Sequence, residues 1–219
     1  MVVAGAVLVA LVGGCAGEPA PSPIAVRDAP ASPAKLTLPK PEKGGLVPGP
    51  KWPHACDLVS PADIQAILPD ATGIEHRGLE AEFDVVLGRN LARLREIKVP
   101  QRSCQIEFDL PHPDDETSSA LRSATIQVQL DAVGSPKIAE MNYNALGDLV
   151  EGSGADECRT LADTNYNCRA GGVVFTVDGT AAPDLVFQGQ QGEATTFYGH
   201  RVLQEFVKLI AAKVSPVAS

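Results

Sequence analysis

The amino-acid sequence predicts an α+β fold in which an antiparallel sheet is covered mainly on one side by helices and cross-linked by two disulfides. Apolar and polar side chains alternate over residues 104–110 and again over 126–130, as in antiparallel strands that keep one face in water. Ser-Pro helix starts precede strand-like runs twice, near residues 60 and 135. These two starts suggest two halves, each made of a helix followed by strands.

The N-terminus has the pattern of an export signal. Residues 2–12 form an uncharged apolar run that is too short to span a hydrocarbon core of roughly 30 Å. The next residues, Gly13, Gly14 and Cys15, resemble the lipobox of bacterial lipoproteins, in which a peptidase cuts before the cysteine and the thiol receives a lipid. That resemblance implies a signal peptide at 1–14 and a lipid anchor on Cys15. The alternative is an ordinary secretory signal without lipidation, and both interpretations predict export to the extracytoplasmic face of the cell membrane.

Residues 15–55 are predicted to consist of the lipidated Cys15 and a disordered, proline-rich tether. Ten of the chain's eighteen prolines lie in the 38 residues from Ala16 to Pro53. Proline fixes φ and lacks a backbone N–H, so such a segment favours an extended polyproline conformation over a folded core. The folded part is therefore expected to be one α+β domain over 56–219.

This domain is expected to be strongly acidic. Residues 56–219 contain 13 Lys and Arg against 24 Asp and Glu, a net charge of −11. An acidic surface repels phosphate backbones, which argues against nucleic acid as a partner. We expect the membrane, through the lipid anchor, and an unidentified ligand or envelope protein as partners, and we expect no cofactor.

The domain contains four cysteines: Cys56, Cys104, Cys158 and Cys168. In an oxidising compartment an even number indicates two disulfides, for which three pairings exist. Proximity along the chain favours joining the first two and the last two, and these loops would contribute about 4 and about 3 kcal/mol in the chain-entropy model. A zinc site is the competing use, but the cysteines lack Cys-x-x-Cys spacing and no histidine lies near them in sequence.

Periodicity divides the first half of the domain into helices and strands. A helix is predicted from Pro61 to the residue before Pro69, with Ser60 as its cap. Apolar residues spaced for one helical face predict a second helix over 80–99. The two alternating segments named above then predict neighbouring antiparallel strands.

The second half repeats this order. A helix is predicted to begin at Pro136 and to end at Gly147. Four strand-like runs follow between turn residues: 157–161, 166–170, 173–177 and 185–187. If the first two form a hairpin, the last two cysteines can link its strands. The chain closes with a predicted helix over 196–214, which has a continuous apolar face.

The start of the domain resembles that of a group of secreted proteins. The nine residues from Cys56 to Ile64, together with the lipobox, the proline-rich segment and Cys104 on a strand, resemble the opening of a large actinobacterial lipoprotein family whose domain has no known function. Members of that family begin the folded part with Cys-x-Leu-Leu/Val-Thr/Ser-Pro-x-Asp/Glu. The resemblance implies a binding or accessory role at the cell envelope, and it carries over no catalytic residues.

One motif has a catalytic counterpart. The His-Pro-Asp-Asp-Glu segment at 112–116 resembles the signature of zinc-dependent amide hydrolases that deacetylate N-acetylglucosaminyl groups. That resemblance implies His112 and Asp115 as zinc ligands, Asp114 as general base, and His200, the only downstream histidine, as third ligand. Against it, those hydrolases need a long parallel α/β chain after the motif, whereas only 103 residues follow here and the strands alternate. The alternative is a solvated acidic loop.

Two functions of different class therefore remain. The first is a non-catalytic envelope lipoprotein that binds a small ligand, lipid or protein partner, and it predicts a concave apolar pocket lined by both halves of the domain. The second is the zinc-dependent deacetylase, which predicts that His112, Asp115 and His200 lie within about 4 Å of one another. We expect the first function, with no catalytic residue and no metal.

Overall fold

The computed structural model describes residues 22–88, 93–112, 123–162 and 164–215. The predicted signal peptide and Cys15 lie outside these ranges, and so do the last four residues of the His-Pro-Asp-Asp-Glu motif. Within the described ranges, no helix is both long enough and apolar enough to pass through a lipid bilayer.

The predicted α+β class is confirmed, because a seven-stranded antiparallel sheet is combined with helices. The strands are β1 Thr72–Val86, β2 Leu94–Asp109, β3 Ala124–Val133, β4 Asp148–Leu149, β5 Glu157–Leu161, β6 Asn165–Ala170 and β7 Val173–Ala181. Their order in the sheet is β1-β2-β3-β7-β6-β5-β4, and neighbouring strands are antiparallel. Two meanders, one of three strands and one of four, therefore meet where β3 pairs with β7, which matches the two predicted halves.

Helices cover mainly one face of this sheet. They are α1 Pro61–Ile67, α2 Pro136–Asn142, α3 Ala194–Phe197 and α4 Gln204–Val214, with a π-helical segment, Tyr198–Leu203, between the last two. The π-helical segment packs against β7, and α4 packs against β6 and β7. A short 3-10 turn, Ala55–Asp57, packs against β1, β2 and β3. Alternate strand residues such as Ile126, Val128 and Leu130 are fully buried in this layer.

The sequence predicted the start of α1 correctly. The Ser60 hydroxyl accepts a hydrogen bond from the Asp63 backbone N–H, and the Asp63 carboxylate accepts one from the Ser60 N–H, which completes a capping box. The end of α2 differs from the prediction, because this helix stops at Asn142 and not at Gly147. There the Asn142 side chain bonds the backbone of Val86 in β1, so the chain leaves the helical path.

The predicted helix over 80–99 is wrong, because this segment forms parts of β1 and β2 and the connection between them. Its apolar residues also fit the two-residue period of strands, since Val85, Ile97 and Val99 are buried while the residues beside Ile97 and Val99 are exposed. Several of them are β-branched, which favours extended structure, and Gly88 weakens a helix at the connection. The apolar residues fit a helical period by coincidence, because they belong to two separate strands.

The predicted strand at 185–187 is also wrong. Leu185 and Phe187 are buried, but Phe187 pairs with Ile24 in a single parallel bridge that lies outside the sheet. The strands predicted at 157–161, 166–170 and 173–177 are confirmed as β5, β6 and β7. The predicted C-terminal helix is confirmed as the run from α3 to α4.

The N-terminal segment is not a free tether from residue 22 onward. It runs mostly without helix or strand, as its prolines predict, but Ile24, Val47 and Trp52 are buried in the core of the domain. Backbone hydrogen bonds also join it to α4, to β3 and to the chain before α3. The prediction of a disordered tether over 15–55 is therefore wrong for residues 22–55. Burial of the apolar residues between the prolines offsets the conformational entropy that is lost when the segment is ordered.

Both favoured disulfides are confirmed. Cys56 is bonded to Cys104, which ties the 3-10 turn to β2, and Cys158 is bonded to Cys168. The second bond links the hairpin of β5 and β6, whose register places its two cysteines directly opposite each other. The competing zinc site is not formed, because all four sulfur atoms are used in covalent pairs.

Candidate functional site

The sheet face turned away from α4 carries polar side chains. Strand register places Gln129 of β3 opposite Thr176 of β7, and Thr176 opposite Asn167 of β6. The residue before Asn167 is Tyr166, which is buried on the helical side and donates its hydroxyl proton to the Gly199 carbonyl at 2.9 Å. Strand alternation therefore directs the row of Gln129, Thr176 and Asn167 to the other face.

A groove of about 400 Å³ lies on this polar face. We call it the polar groove, and its lining residues are Phe83, Asp84, Arg102, Gln129, Asp131, Asn142, Asn144, Leu161, Asn165, Asn167 and Thr176. They come from both halves of the domain, as predicted. The predicted apolar lining is wrong for this groove, because nine of the eleven lining residues are polar or charged.

Asp131 is the centre of a hydrogen-bond network in the polar groove. It is the extra residue of a β-bulge between β3 and β7, and bulges redirect side chains out of the regular alternation. Its Oδ1 accepts hydrogen bonds from Gln129 Nε2 at 2.7 Å and from Arg102 Nη2 at 2.8 Å, and its Oδ2 accepts one from Thr176 Oγ1 at 2.7 Å. Because a carboxylate can only accept, all three neighbours must donate.

This network fixes the orientation of the Asn167 amide. Thr176 uses its only hydroxyl proton on Asp131, so its oxygen must accept from Asn167, whose Nδ2 is 3.1 Å away. The Asn167 Oδ1 atom therefore points away from Thr176. It is buried and has no hydrogen-bond partner within the described part of the chain. An unsatisfied buried acceptor costs about 1–3 kcal/mol, which a donor on a bound ligand would offset.

Arg102 is held rigidly above an aromatic ring. Its guanidinium carbon lies 3.7 Å from the centroid of the Phe83 ring, and its Nε donates to the Leu130 carbonyl at 3.1 Å. Trp52 packs edge-on against Phe83, with 5.7 Å between ring centroids. Since Asp131 neutralises the Arg102 charge, this part of the groove offers hydrogen bonds without a net positive charge.

The end of α2 closes one side of the polar groove. Asn142 accepts a hydrogen bond from the Val86 N–H at 2.8 Å, and it donates to the Val86 carbonyl at 3.0 Å and to the Ile138 carbonyl at 2.8 Å. These bonds fasten the second half of the domain to β1 of the first half. The two walls of the groove are thus fixed relative to each other.

The predicted zinc centre lies partly outside the described residues. His112 Nε2 lies 2.7 Å from Asp184 Oδ2, a contact that the motif did not predict. His200 is exposed on the π-helical segment. Asp114 and Asp115 lie outside the described residues, so the zinc-dependent deacetylase stays a prediction.

A second cluster, which sequence reasoning missed, surrounds the first disulfide. A ring nitrogen of His76 and the Sγ atoms of Cys56 and Cys104 all lie within 4.8 Å of one another. Burial lowers the pKa of His76 below its usual 6.5, and its Nε2 is buried without a hydrogen-bond partner. His76 is far from Cys104 in sequence, and only the pairing of β1 with β2 brings the two together.

The chain matches no model of a known protein family, no curated protein and no solved structure. The resemblance to the actinobacterial lipoprotein family, which is carried by the residues from Cys56 to Ile64, therefore stays a prediction.

Proposed function

We propose that the chain is an exported cell-envelope lipoprotein whose domain binds a small polar ligand in the polar groove without catalysing a reaction. A lipid on Cys15 would hold the domain at the extracytoplasmic membrane surface. The single observation that supports binding most strongly is the buried, unpartnered Oδ1 atom of Asn167 among the lining residues. A site with a preformed, unsatisfied acceptor is ready for a complementary donor.

The fixed network defines which chemistry the ligand must bring. Asn167 Oδ1 can only accept, so the ligand must present an N–H or O–H group. The Arg102 charge is already paired with Asp131 at 2.8 Å, and Asp84 adds a negative charge to the lining. With the acidic surface of the domain, this argues for a neutral ligand over an anion. A neutral compound rich in hydroxyl or amide groups fits these constraints.

The size of the groove limits the ligand to a small molecule. Its volume of about 400 Å³ lies at the lower end of the roughly 300–1,000 Å³ that is typical of small-molecule sites. A monosaccharide or a dipeptide is of suitable size, whereas a long acyl chain would need an apolar lining. We therefore propose a hydrophilic ligand in place of a lipid.

The groove can be tested with four uncharged probes: glucose, N-acetylglucosamine, N-acetylglycinamide and N-acetylasparaginamide. Each is titrated at millimolar concentration into isotope-labelled protein, while NMR follows the side-chain amide signals. We expect at least one probe to shift the Asn167 amide signal. Replacing Asn167 with alanine removes the acceptor, and the expected loss of about 1–1.5 kcal/mol corresponds to roughly tenfold weaker binding.

The matched control for this experiment is Thr180→Val. Thr180 lies on the same face of β7 as Thr176, but it is exposed and does not line the polar groove. Its replacement should leave probe affinity unchanged, whereas Thr176→Val should weaken binding because it frees the Asn167 amide to rotate. If no probe moves the Asn167 signal, or if Asn167→Ala binds as well as the wild type, the groove is not the binding site.

Anchoring is tested separately by Cys15→Ser. When the chain is expressed in a bacterium that processes lipoproteins, we expect the wild type in the detergent phase and the variant in the aqueous phase, because serine cannot form the thioether to the lipid. Mass spectrometry of the N-terminal peptide should show the lipid on the wild type alone. The control is a double replacement of Cys158 and Cys168 with serine, which removes cysteines elsewhere in the chain and should leave the protein in the detergent phase. Retention of Cys15→Ser in the membrane would contradict the anchor.

A further inference from the structure

The disulfide between Cys56 and Cys104 has an unsatisfied histidine beside it. The two Sγ atoms and a ring nitrogen of His76 lie within 4.8 Å of one another. In addition, His76 Nε2 is buried and has no hydrogen-bond partner among the described residues. Two sulfur atoms and one imidazole form the donor set that proteins use for soft and borderline divalent cations.

The backbone keeps these three residues together independently of the S–S bond. In the β1–β2 pairing, Gly78 lies opposite Cys104 and His76 lies opposite Ile106, so His76 and Cys104 are near neighbours across the hairpin. The 3-10 turn that carries Cys56 packs against both strands. Because strand pairing and core packing hold each residue, opening the disulfide does not require the three side chains to separate.

We propose that opening the Cys56–Cys104 disulfide converts this cluster into a site for one zinc-like divalent cation, bound by Cys56, Cys104 and His76. Neutral disulfide sulfur atoms bind such cations poorly, whereas two thiolates add charge and strong donor capacity. Three protein ligands leave the fourth tetrahedral position to water or to an external ligand. The cluster is thus a metal site only in its reduced form.

The reduction can be written with a dithiol as the electron donor. Cys104 is fully buried and Cys56 is partly exposed, so a thiolate of the dithiol attacks the Cys56 sulfur and the S–S bond breaks. The second thiol of the reductant then displaces Cys56 and closes the reductant's own disulfide. Two electrons and two protons have passed to the cysteine pair. Metal binding releases the two thiol protons to water.

Cobalt(II) provides the test, because tetrahedral thiolate coordination gives it intense visible absorption. The full chain is reduced with a phosphine under anaerobic conditions and titrated with Co²⁺, and zinc is then added as competitor. We expect saturation at one cobalt per reduced chain, loss of the colour when zinc is added, and no colour with the oxidised chain. His76→Gln should weaken cobalt binding at least about tenfold.

Two controls separate this site from other thiols and histidines. A double replacement of Cys158 and Cys168 with serine must retain the cobalt spectrum, and so must His200→Gln, which changes an exposed histidine. Circular dichroism checks folding in each case, and a reduced chain that unfolds should refold when metal is added. The proposal is overturned if reduced wild type gives no thiolate–cobalt bands whether folded or unfolded, if His76→Gln binds cobalt as tightly, or if the bands require Cys158 and Cys168.

Discussion

Replacing Glu205 with alanine is expected to lower the free energy of unfolding by about 3 kcal/mol. The Glu205 side chain is 1% exposed and accepts hydrogen bonds from Arg201, from Lys208 Nζ at 2.8 Å and from the Ala29 backbone N–H at 2.8 Å. Alanine removes the buried member of this cluster, so the part-buried Ala29 N–H loses its acceptor and Arg201 and Lys208 lose their shared carboxylate. Urea unfolding followed by circular dichroism measures the loss.

A second substitution at this position separates charge from hydrogen bonding. Glu205→Gln keeps an acceptor oxygen for Ala29 but removes the negative charge between two cations, so we expect a loss smaller than that of alanine. Lys208→Ala is the matched control, because its side chain is 39% exposed and its loss should stay below about 1 kcal/mol. Wild-type stability in Glu205→Ala would show that this buried cluster does not hold the fold together.

The same cluster joins the proline-rich segment to α4. Arg201 Nη2 lies 2.6 Å from Asp28 Oδ1, and the hydrogen bond and charge of Arg201 hold the pKa of Asp28 below its usual value. Further along, Lys35 Nζ donates to the Ala212 carbonyl at 2.5 Å. Limited proteolysis gives a second readout for Glu205→Ala, because loss of its contact to Ala29 should speed cleavage between residues 22 and 38.

Composition failed to predict this packing for a physical reason. The proline count correctly predicts little regular structure, but it does not register the apolar residues that lie between the prolines. Ile24, Val47 and Trp52 are buried in the same core as residues of the sheet and of α4, which lie far away in sequence. A segment without helix or strand can still be part of a hydrophobic core.

Local chemistry was predicted best, and long-range register was predicted worst. The cap at Ser60 and the alternation in β3 depend on neighbouring residues, and both are confirmed. The false helix at 80–99 arose because helical and strand periods both fit a run of scattered apolar residues. The pairing of β1 with β2 decides between them, and that pairing depends on the whole sheet.

The polar groove shows the same limit at the functional site. Arg102, Asp131 and Asn167 belong to three different strands, so their juxtaposition requires the strand order and the register. The sequence offered one indication, the polar residues that alternate along β3. They predict a sheet face in contact with water, but they do not predict a binding site on it. The bulge that directs Asp131 toward its three donors cannot be read from composition or periodicity.

Replacing Lys213 with methionine is the second change for which we expect a large effect, a loss of about 3 kcal/mol near neutral pH. Lys213 is buried at the end of α4, with its side chain 6% exposed, and its Nζ lies 2.5 Å from Asp63 Oδ2 at the start of α1. Methionine keeps much of the packing volume but removes the cation. Asp63, whose side chain is 15% exposed here, then loses its cation and keeps two hydrogen bonds, from the N–H and the hydroxyl of Ser60.

The pH dependence of this loss follows from Asp63. Burial raises the pKa of Asp63, but hydrogen bonds from Lys213 and Ser60 outweigh burial and hold the pKa below the usual 3.8. A carboxyl whose pKa is lower in the folded than in the unfolded state stabilises the fold at pH values above its unfolded-state pKa. This contribution disappears as the pH falls through the folded-state pKa. The deficit of Lys213→Met should therefore shrink as urea unfolding is repeated from about pH 7 down to about pH 3.

Lys98→Met is the matched control for the buried lysine. Lys98 Nζ lies 2.7 Å from Glu80 Oε1, a comparable ion-pair distance, but the lysine side chain is 56% exposed. Solvent screens such a pair, so its removal should leave stability unchanged at both ends of the pH range. A Lys213→Met deficit that stays constant on acidification would mean that lost packing, and not the buried charge pair, causes the effect. A shrinking deficit would instead identify the Asp63–Lys213 pair as the contact through which α1 and α4 stabilise each other.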